Sequence, residues 1–307
     1  MPDILRTPDS RFSAWVDYPF QPHFHDWHGL RMHYLDEGDK TAAPMLLVHG
    51  MPTSSYLYRH MIPPLEGAGY RCVAPDHIGF GKSDKVLDDA WYSIERHCNA
   101  LRSLIETLDL RRMTLVCQDW GGPIGLRQVV DMPERFERLV IMNTWLHHPG
   151  YAYTEALRRW NASWHPGHTM DRLQGCGYVL RHYVEHHPRG SNPQTPEQVF
   201  AAYEAPFPDR ASKAGPRRFP LALPFDDPIG GNAADQARCF AALDAWRKPI
   251  HFVWGARDDV FTEEWGRAWA ARFPQATFDS VDGGHFLQES HGREVAVLVM
   301  ERIAEEQ

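Results

Sequence analysis

Residues 116–122 read Val-Cys-Gln-Asp-Trp-Gly-Gly, and this short stretch decides the fold. It overlaps the end of an apolar run at 114–117 and leads into a helical pattern from Gly122. A strand, a tight turn with small residues and a helix form a nucleophile elbow, which projects one side chain above the end of a sheet. Asp119 occupies that position. An ionised carboxylate attacks carbon directly and becomes an ester, so Asp119 is the predicted covalent nucleophile.

Two later segments contain the partners that such a nucleophile needs. Asp258 follows an apolar run at 250–254, and its neighbour Asp259 is the second choice for the same role. His285 lies in the segment Asp-Gly-Gly-His-Phe-Leu at 282–287. The order nucleophile, acid, histidine along the chain is that of the α/β-hydrolases. The sequence therefore predicts a catalytic triad of Asp119, His285 and Asp258.

The loop after the apolar run at 45–48 predicts part of an oxyanion hole. It reads His-Gly-Met-Pro-Thr at 49–53. In this arrangement one backbone N–H comes from that loop and the other from the residue after the nucleophile. The predicted donors are the amides of Met51 and Trp120. A backbone donor does not depend on the side chain, so a methionine can serve.

Short apolar runs alternate with helical patterns along most of the chain. The runs have the length and composition of strands buried on both faces of a parallel sheet, and they lie at 45–48, 72–74, 114–117, 139–142 and 250–254. Helical periodicity predicts helices at 94–108, 122–132, 263–273 and 293–304. The sequence thus predicts an α/β fold with a mostly parallel central sheet and helices on both faces.

The alternation stops at residues 145–238, which are rich in Trp, Tyr, His and Pro. We predict that this stretch is a helical cap inserted into a core domain formed by residues 1–144 and 239–307. Ligands of open α/β sheets bind at the carboxyl ends of the strands. The cap is therefore expected to cover the active site.

Composition excludes several classes of function. The net charge is −8 and no basic run is present, which argues against a nucleic-acid partner. The apolar runs are far shorter than the ~20 residues that span a bilayer, so no membrane partner is expected. The five cysteines lack metal-ligand spacing and the N-terminus lacks a signal-like apolar core. We expect a cytoplasmic protein with no metal and no cofactor.

Over nearly its whole length the sequence resembles the haloalkane dehalogenases of the α/β-hydrolase superfamily. The resemblance rests on segments 49–59, 75–84, 118–122, 203–209, 218–220 and 283–289. It implies an α/β-hydrolase fold and hydrolytic cleavage of carbon–halogen bonds to alcohol, halide and a proton, through an alkyl-aspartate ester. By the same resemblance Asp119 is the nucleophile, His285 the base and Asp258 its partner.

The resemblance also implies two N–H donors for the departing halide. One is the indole of Trp120. The other is usually an Asn or a lid Trp, but the position after His-Gly holds Met51, whose thioether donates no hydrogen bond. The candidates for a second donor are Asn143, Trp145, Trp160 and Trp164.

Apolar cap residues predict a pocket for a small apolar halogenated substrate. The predicted lining residues are Tyr203, Phe207, Phe219, Leu221 and Leu223. The expected ligands are this substrate, water and the halide product. The expected assembly is a monomer or a small homo-oligomer.

Three other functions fit parts of the sequence. An epoxide hydrolase would use the same Asp nucleophile and needs two lid tyrosines as acids, for which the candidates are Tyr151, Tyr153, Tyr178, Tyr183 and Tyr203. Residues 182–186 read His-Tyr-Val-Glu-His, a pattern found in one group of zinc peptidases. A non-catalytic binding protein on this fold typically lacks a triad member, and none is missing here.

Overall fold

The computed structural model describes residues 2–168, 190–225 and 231–306. Residues 182–186, which carry the zinc-peptidase pattern, and two of the candidate tyrosines, Tyr178 and Tyr183, lie outside the described residues. No helix in the described ranges is both long and apolar enough to cross a membrane.

Ten strands are described. In chain order they are β1 (Ile4–Leu5), β2 (His23–Trp27), β3 (Leu30–Glu37), β4 (Pro44–Val48), β5 (Arg71–Pro75), β6 (Lys85–Val86), β7 (Met113–Gln118), β8 (Phe136–Met142), β9 (Ile250–Gly255) and β10 (Ala276–Val281). Eight of them form one sheet in the order β10-β9-β8-β7-β4-β5-β3-β2. Neighbours run parallel except at β3, which is antiparallel to both β5 and β2. The predicted mostly parallel sheet is confirmed.

Nine α-helices are described between and after these strands. They are α1 (Ile62–Gly67), α2 (Ile94–Thr107), α3 (Gly121–Asp131), α4 (Glu155–Trp164), α5 (Pro196–Glu204), α6 (Ala214–Leu221), α7 (Ala233–Ala242), α8 (Glu263–Ala270) and α9 (Leu287–Ala304). Helices α3, α8 and α9 pack directly on the sheet. Ser93 begins α2 by accepting the Arg96 N–H, which satisfies one of the amides left free at a helix start.

The strands at the centre of the sheet are buried on both faces. Every residue of β4, β7 and β9 is buried, which explains their continuous apolar sequences. Edge strand β2 instead alternates half-buried and exposed residues, and three of its five positions are polar: His23, His25 and Asp26. Because β2 contains no apolar run, the sequence pattern did not predict it as a strand.

Helices α4, α5 and α6 lie between β8 and β9, in the stretch expected to form the cap. The predicted boundary between residues 238 and 239 falls inside α7. This helix packs on α3 of the core, and Arg127 of α3 forms an ion pair of 2.7 Å with Asp235. The start of α7 therefore contacts the core, although the sequence placed it in the cap.

Candidate active site

The turn between β7 and α3 holds Asp119 in a left-handed backbone conformation with φ of 51°. Asp tolerates this region better than most residues. Two glycines allow the turn to pack closely. A Cβ at Gly121 would collide with the Val48 carbonyl oxygen, and one at Gly50 would collide with the Asp119 side chain. The small residues are thus a requirement of the strand-turn-helix geometry, and they fix the direction of the carboxylate.

The two oxygens of the Asp119 carboxylate face different partners. Oδ1 accepts a hydrogen bond of 2.7 Å from the Met51 N–H. Oδ2 lies 3.5 Å from His285 Nε2. Among the described residues, the hydrogen bonds to this carboxylate include none from the Trp120 amide, so the second oxyanion donor stays a prediction. Oδ2 is left as the oxygen available to attack.

The loop after β9 places Asp258 behind the imidazole. His285 Nδ1 lies 2.8 Å from Asp258 Oδ2. The other oxygen of Asp258 accepts the backbone N–H groups of Val260 and Phe261 at 2.8 and 3.2 Å. Asp258 is 3% exposed, whereas its neighbour Asp259 is exposed. The structure therefore brings the first-choice acid to the histidine and not the second.

Charge and burial act in opposite directions on His285. Burial lowers the pKa of the imidazole, but the Asp258 and Asp119 carboxylates overcome this and raise the pKa to about 10. A carboxylate at Nδ1 also fixes the ring so that Nε2 faces Asp119. This arrangement places the imidazole where it can act as a base next to a group bonded to Asp119 Oδ2.

Asn143 was expected among the candidates for halide binding, and the structure places it differently. Its Nδ2 donates to Asp258 Oδ2 at 2.8 Å and to the Gly255 carbonyl at 3.2 Å. Its Oδ1 accepts the Gly255 N–H at 2.7 Å. Both amide hydrogens are therefore used, and neither is left to donate to a halide. Asn143 supports the acid of the triad instead.

Aromatic rings surround the indole that is expected to hold the halide. Trp120 lies edge-on to Trp145 with ring centroids 4.7 Å apart, and 5.3 Å from Phe219 of α6. Trp145 stacks at 4.8 Å on Phe261, which lies 5.6 Å from His285. This cluster lines the approach to Asp119 with apolar surface.

Trp160 and Trp164, the other two candidate donors, lie on α4. Their rings meet edge-on at 5.2 Å, and α4 packs against α6. The Trp164 Nε1 is buried without a hydrogen-bond partner among the described residues. In the described part of the chain neither indole makes a ring contact with Trp120, so their halide role stays a prediction.

The five predicted pocket residues differ in their described contacts, so the pocket stays a prediction. Phe219 contacts Trp120, while the Phe207 ring lies 5.8 Å from the Lys85 ammonium group. Leu223 is buried and Leu221 half-buried in the main apolar core. Tyr203 donates its hydroxyl to Glu289 at 2.7 Å. Only Phe219 is therefore tied by a described contact to the triad region.

Sequence reasoning missed a buried charge cluster that joins α9 to the cap. Arg59 and Glu289 form an ion pair with two hydrogen bonds of 2.8 and 2.5 Å, and burial of Arg59 is complete. From the cap side, Asn192 donates to Glu289 at 2.6 Å and Gln194 accepts from Arg59 at 3.1 Å. Glu289 follows His285 by four residues in the sequence, which could have singled it out.

Gln118 is a second residue to which the sequence analysis assigned no role of its own. Its side-chain nitrogen lies 3.1 Å from His285 Nε2 and 3.0 Å from the His285 carbonyl oxygen. A polar residue ending a strand that is otherwise apolar and buried was the available signal. No cluster of metal-binding side chains occurs in the described ranges.

Comparison with known proteins agrees with this geometry. Residues 43–171 match the family model for the α/β-hydrolase fold. A haloalkane dehalogenase of Psychrobacter cryohalolentis is 40% identical, covering 98% of both chains. Another, of Mycobacterium marinum, is 40% identical over 97% of this chain and 99% of its own.

A solved haloalkane dehalogenase structure has the same fold as this chain. The tetrameric haloalkane dehalogenase DpaA of Paraglaciecola agarilytica superposes with a TM-score of 0.83, at 36% identity, covering 96% of this chain and 97% of its own. Full-length similarity at this level, together with an aspartate at the elbow, shows that the chain belongs to the haloalkane dehalogenases, the α/β-hydrolases that act on carbon–halide bonds.

Proposed function

We propose that this chain hydrolyses small apolar haloalkanes through a covalent alkyl ester on Asp119. The observation that carries the proposal is the division between the two carboxylate oxygens. Oδ1 is held by the Met51 N–H, and Oδ2 lies 3.5 Å from His285 Nε2 without a hydrogen bond to the described loop that contains Met51. A serine hydrolase has a hydroxyl at this position, which a base must deprotonate. A carboxylate needs no such step and can displace a halide directly.

The first half-reaction is a displacement at saturated carbon. Asp119 Oδ2 bonds to the carbon that carries the halogen, and the halide leaves with the electron pair of the broken bond. The Trp120 indole N–H donates to the halide as its charge grows. Removing one donor of this kind typically costs about 10²- to 10³-fold in rate.

The second half-reaction cleaves the ester. His285 takes a proton from water, and the oxygen of that water attacks the Asp119 carboxyl carbon. The Met51 N–H stabilises the charge that develops on Oδ1, and Asp258 stabilises the imidazolium. As the intermediate collapses, the bond from the carboxyl carbon to Oδ2 breaks and the departing alkoxide takes the proton from His285 to give the alcohol. The carboxyl group then releases its own proton to solvent, which restores the carboxylate. His285 is thus needed only after the halide has left.

The surroundings of the site favour an uncharged substrate. Trp120, Trp145, Phe219 and Phe261 present apolar rings, and the triad beside them contributes two carboxylates and an imidazole. A haloacid would bring a third carboxylate into this enclosed region, at a cost in desolvation and repulsion. We therefore propose haloalkanes of modest size as the substrate class.

The tyrosine contacts speak against an epoxide hydrolase. That reaction needs two lid hydroxyls to protonate the opening ring. In the described part of the cap, the Tyr153 hydroxyl pairs with His147 Nδ1 at 2.9 Å, and the Tyr203 hydroxyl donates to Glu289. Tyr151 packs edge-on against Trp265 at 4.6 Å. None of these contacts directs a hydroxyl toward Asp119.

The cysteines bear on the cellular location of the chain, and a related structure bears on its assembly. The four described cysteines, Cys72, Cys98, Cys117 and Cys239, are buried free thiols, which fits the reducing cytoplasm that we propose. The similar Paraglaciecola enzyme is a tetramer. For this chain we propose a monomer or small homo-oligomer, to be determined by light scattering.

The test compares products from 1-bromobutane, 2-bromopropanoate and 1,2-epoxybutane. We expect bromide and butanol from the first, little bromide from the second and no diol from the third. Asp119→Asn should release no bromide, because an amide oxygen is a poor nucleophile. Diol formation without bromide release would contradict the proposal, as would an Asp119→Asn variant as active as the parent.

A further inference from the structure

Gln118, the residue before the nucleophile, touches the general base. Its Nε2 lies 3.1 Å from His285 Nε2, which is closer than the 3.5 Å between that nitrogen and Asp119 Oδ2. Both side chains are buried, with Gln118 fully so and His285 4% exposed. Solvent therefore screens this contact little.

A backbone carbonyl fixes which way the Gln118 amide faces. The same Nε2 donates to the His285 carbonyl oxygen at 3.0 Å. A carbonyl only accepts hydrogen bonds, so it requires the amino side of the amide. Turning the amide over would press Oε1 against that oxygen. Oε1 has no partner among the described residues, so nothing on its side favours the opposite orientation.

This orientation favours the neutral form of the base over the charged form. An amide N–H that points at His285 Nε2 needs a lone pair there, which only the neutral imidazole with its proton on Nδ1 provides. Asp258 accepts from Nδ1 at 2.8 Å and favours that tautomer. We propose that Gln118 is a positioning residue that holds His285 neutral, as a proton acceptor, during ester hydrolysis.

The free enzyme favours the charged form of the His285 imidazole. A group that favours the neutral form therefore helps His285 to act as a base. The ionisable groups at the ring are Asp119, in the turn after β7, and Asp258, in the loop after β9, and both favour the imidazolium. On α9 itself, the charge of Glu289 is paired with Arg59. Ester formation removes the charge of Asp119. Asp258 then acts alone, and the Gln118 donor opposes it.

The inference rests on the proposed function, and its test separates the two half-reactions. In a single turnover with 1-bromobutane, the halide burst reports attack by Asp119 and butanol formation reports hydrolysis. In Gln118→Met the donor is lost while the length of the side chain is kept. We expect the burst to persist and the pH midpoint of hydrolysis to rise by about one unit, the size of one ordinary hydrogen bond.

Two further variants make the result decisive. Gln118→Glu keeps the shape but places a carboxylate at Nε2, so its midpoint should rise further. Gln128→Met is the matched control, because Gln128 is equally buried and its amide bonds the Cys98 and Ile124 carbonyls. It should keep the parental midpoint.

A merely structural role would slow hydrolysis equally at every pH. Midpoints of Gln118→Met and Gln118→Glu equal to that of the parent would overturn the inference. If the Met variant does not fold, the Glu variant alone decides. Absence of a halide burst in the parent enzyme would instead refute the proposed function, so the two failures are distinguishable.

Discussion

Asn143 Nδ2 donates a 2.8 Å hydrogen bond to Asp258 Oδ2, the same oxygen that meets His285 Nδ1. The acid of the triad is therefore held from β8 as well as from its own loop. Asn143→Ala should cost about 1 to 3 kcal/mol of unfolding free energy, because buried groups lose their partners. Hydrolysis should slow more than the halide burst.

Stopped-flow halide and alcohol measurements check this prediction, with urea unfolding for stability. Asn161→Ala is the matched control, since that amide bonds the Pro220 carbonyl in the cap. It should leave the ratio of the two rates unchanged. An Asn143→Ala enzyme whose burst and hydrolysis slow by the same factor would show that Asn143 does not act through Asp258.

His285→Phe should trap the covalent intermediate. Attack by Asp119 does not use the imidazole, whereas hydrolysis does, so the ester should accumulate. Mass spectrometry of the variant after incubation with 1-bromobutane should show an added butyl group on the peptide that contains Asp119. His251→Phe, which removes a buried histidine bonded to Thr277 and Glu306, is the control and should stay unmodified. If the parent is active but the His285→Phe protein stays unmodified, the assignment of Asp119 as nucleophile and His285 as the base for ester hydrolysis is wrong.

Replacing tryptophans by phenylalanine should identify the halide donors. Trp120→Phe keeps an aromatic ring but loses the N–H, and should slow the halide burst by about 10²- to 10³-fold. Among Trp145→Phe, Trp160→Phe and Trp164→Phe, the variant with a comparable loss identifies the second donor. The effect should be larger for chloride than for bromide as leaving group. If Trp120→Phe has an unchanged burst rate, the indole is not a halide donor.

The buried His97 should make the fold sensitive to acid. Burial, with a smaller contribution from His49, lowers the pKa of His97 to about 3. The unfolded state takes up this proton near pH 6.5 and the folded state does not, so stability falls as the pH drops below that value. The contribution is about 1.4 kcal/mol per pH unit down to the folded pKa.

Urea unfolding at pH 7.5, 6.5 and 5.5 measures this slope. His97→Phe should reduce the slope of stability against pH by about 1.4 kcal/mol per pH unit. Phe is the chosen replacement because it suits the aromatic surroundings formed by Phe80 and Phe219. A variant with the parental slope would mean that His97 is not the group responsible.

The Arg59–Glu289 pair should contribute strongly to the docking of the cap. Glu289→Gln leaves the buried Arg59 charge uncompensated and should cost about 3 to 5 kcal/mol of unfolding free energy. Tyr203→Phe removes one hydrogen bond to a charged group and should cost about 1.5 to 3 kcal/mol. The double variant should lose less than the sum, because the two share Glu289. Additive losses in urea unfolding would exclude that coupling.

The sequence predicts the parts of this molecule that depend on local chemistry. Apolar runs on buried strands and the Gly-Gly pair after Asp119 follow from packing and close approach, which a sequence records directly. The helix predicted at 293–304 is preceded by a further helical stretch from Leu287, which non-helical backbone at His291 separates from it. That first stretch buries the polar Gln288 and Glu289, which breaks the apolar period. Such polar burial is decided by partners far along the chain.

Long-range pairing also explains what the sequence could not assign in the site. Tyr203 lies in an apolar stretch and was expected in the pocket, but its partner Glu289 is 86 residues away. Asn143 was expected among the halide donors, yet Gly255 and Asp258, which use its amide, follow more than 110 residues later. A side chain with two chemically reasonable partners is assigned only when the fold shows which one is near.

The unequal surroundings of the two Asp119 oxygens decide where atoms end up. If Oδ2 bonds to the substrate and water enters at the carboxyl carbon, the product leaves with an oxygen that belonged to the polypeptide. Solvent supplies the replacement. On this mechanism residue 119 is rebuilt in every cycle, and the protein that finishes a turnover carries an oxygen atom that came from the surrounding water.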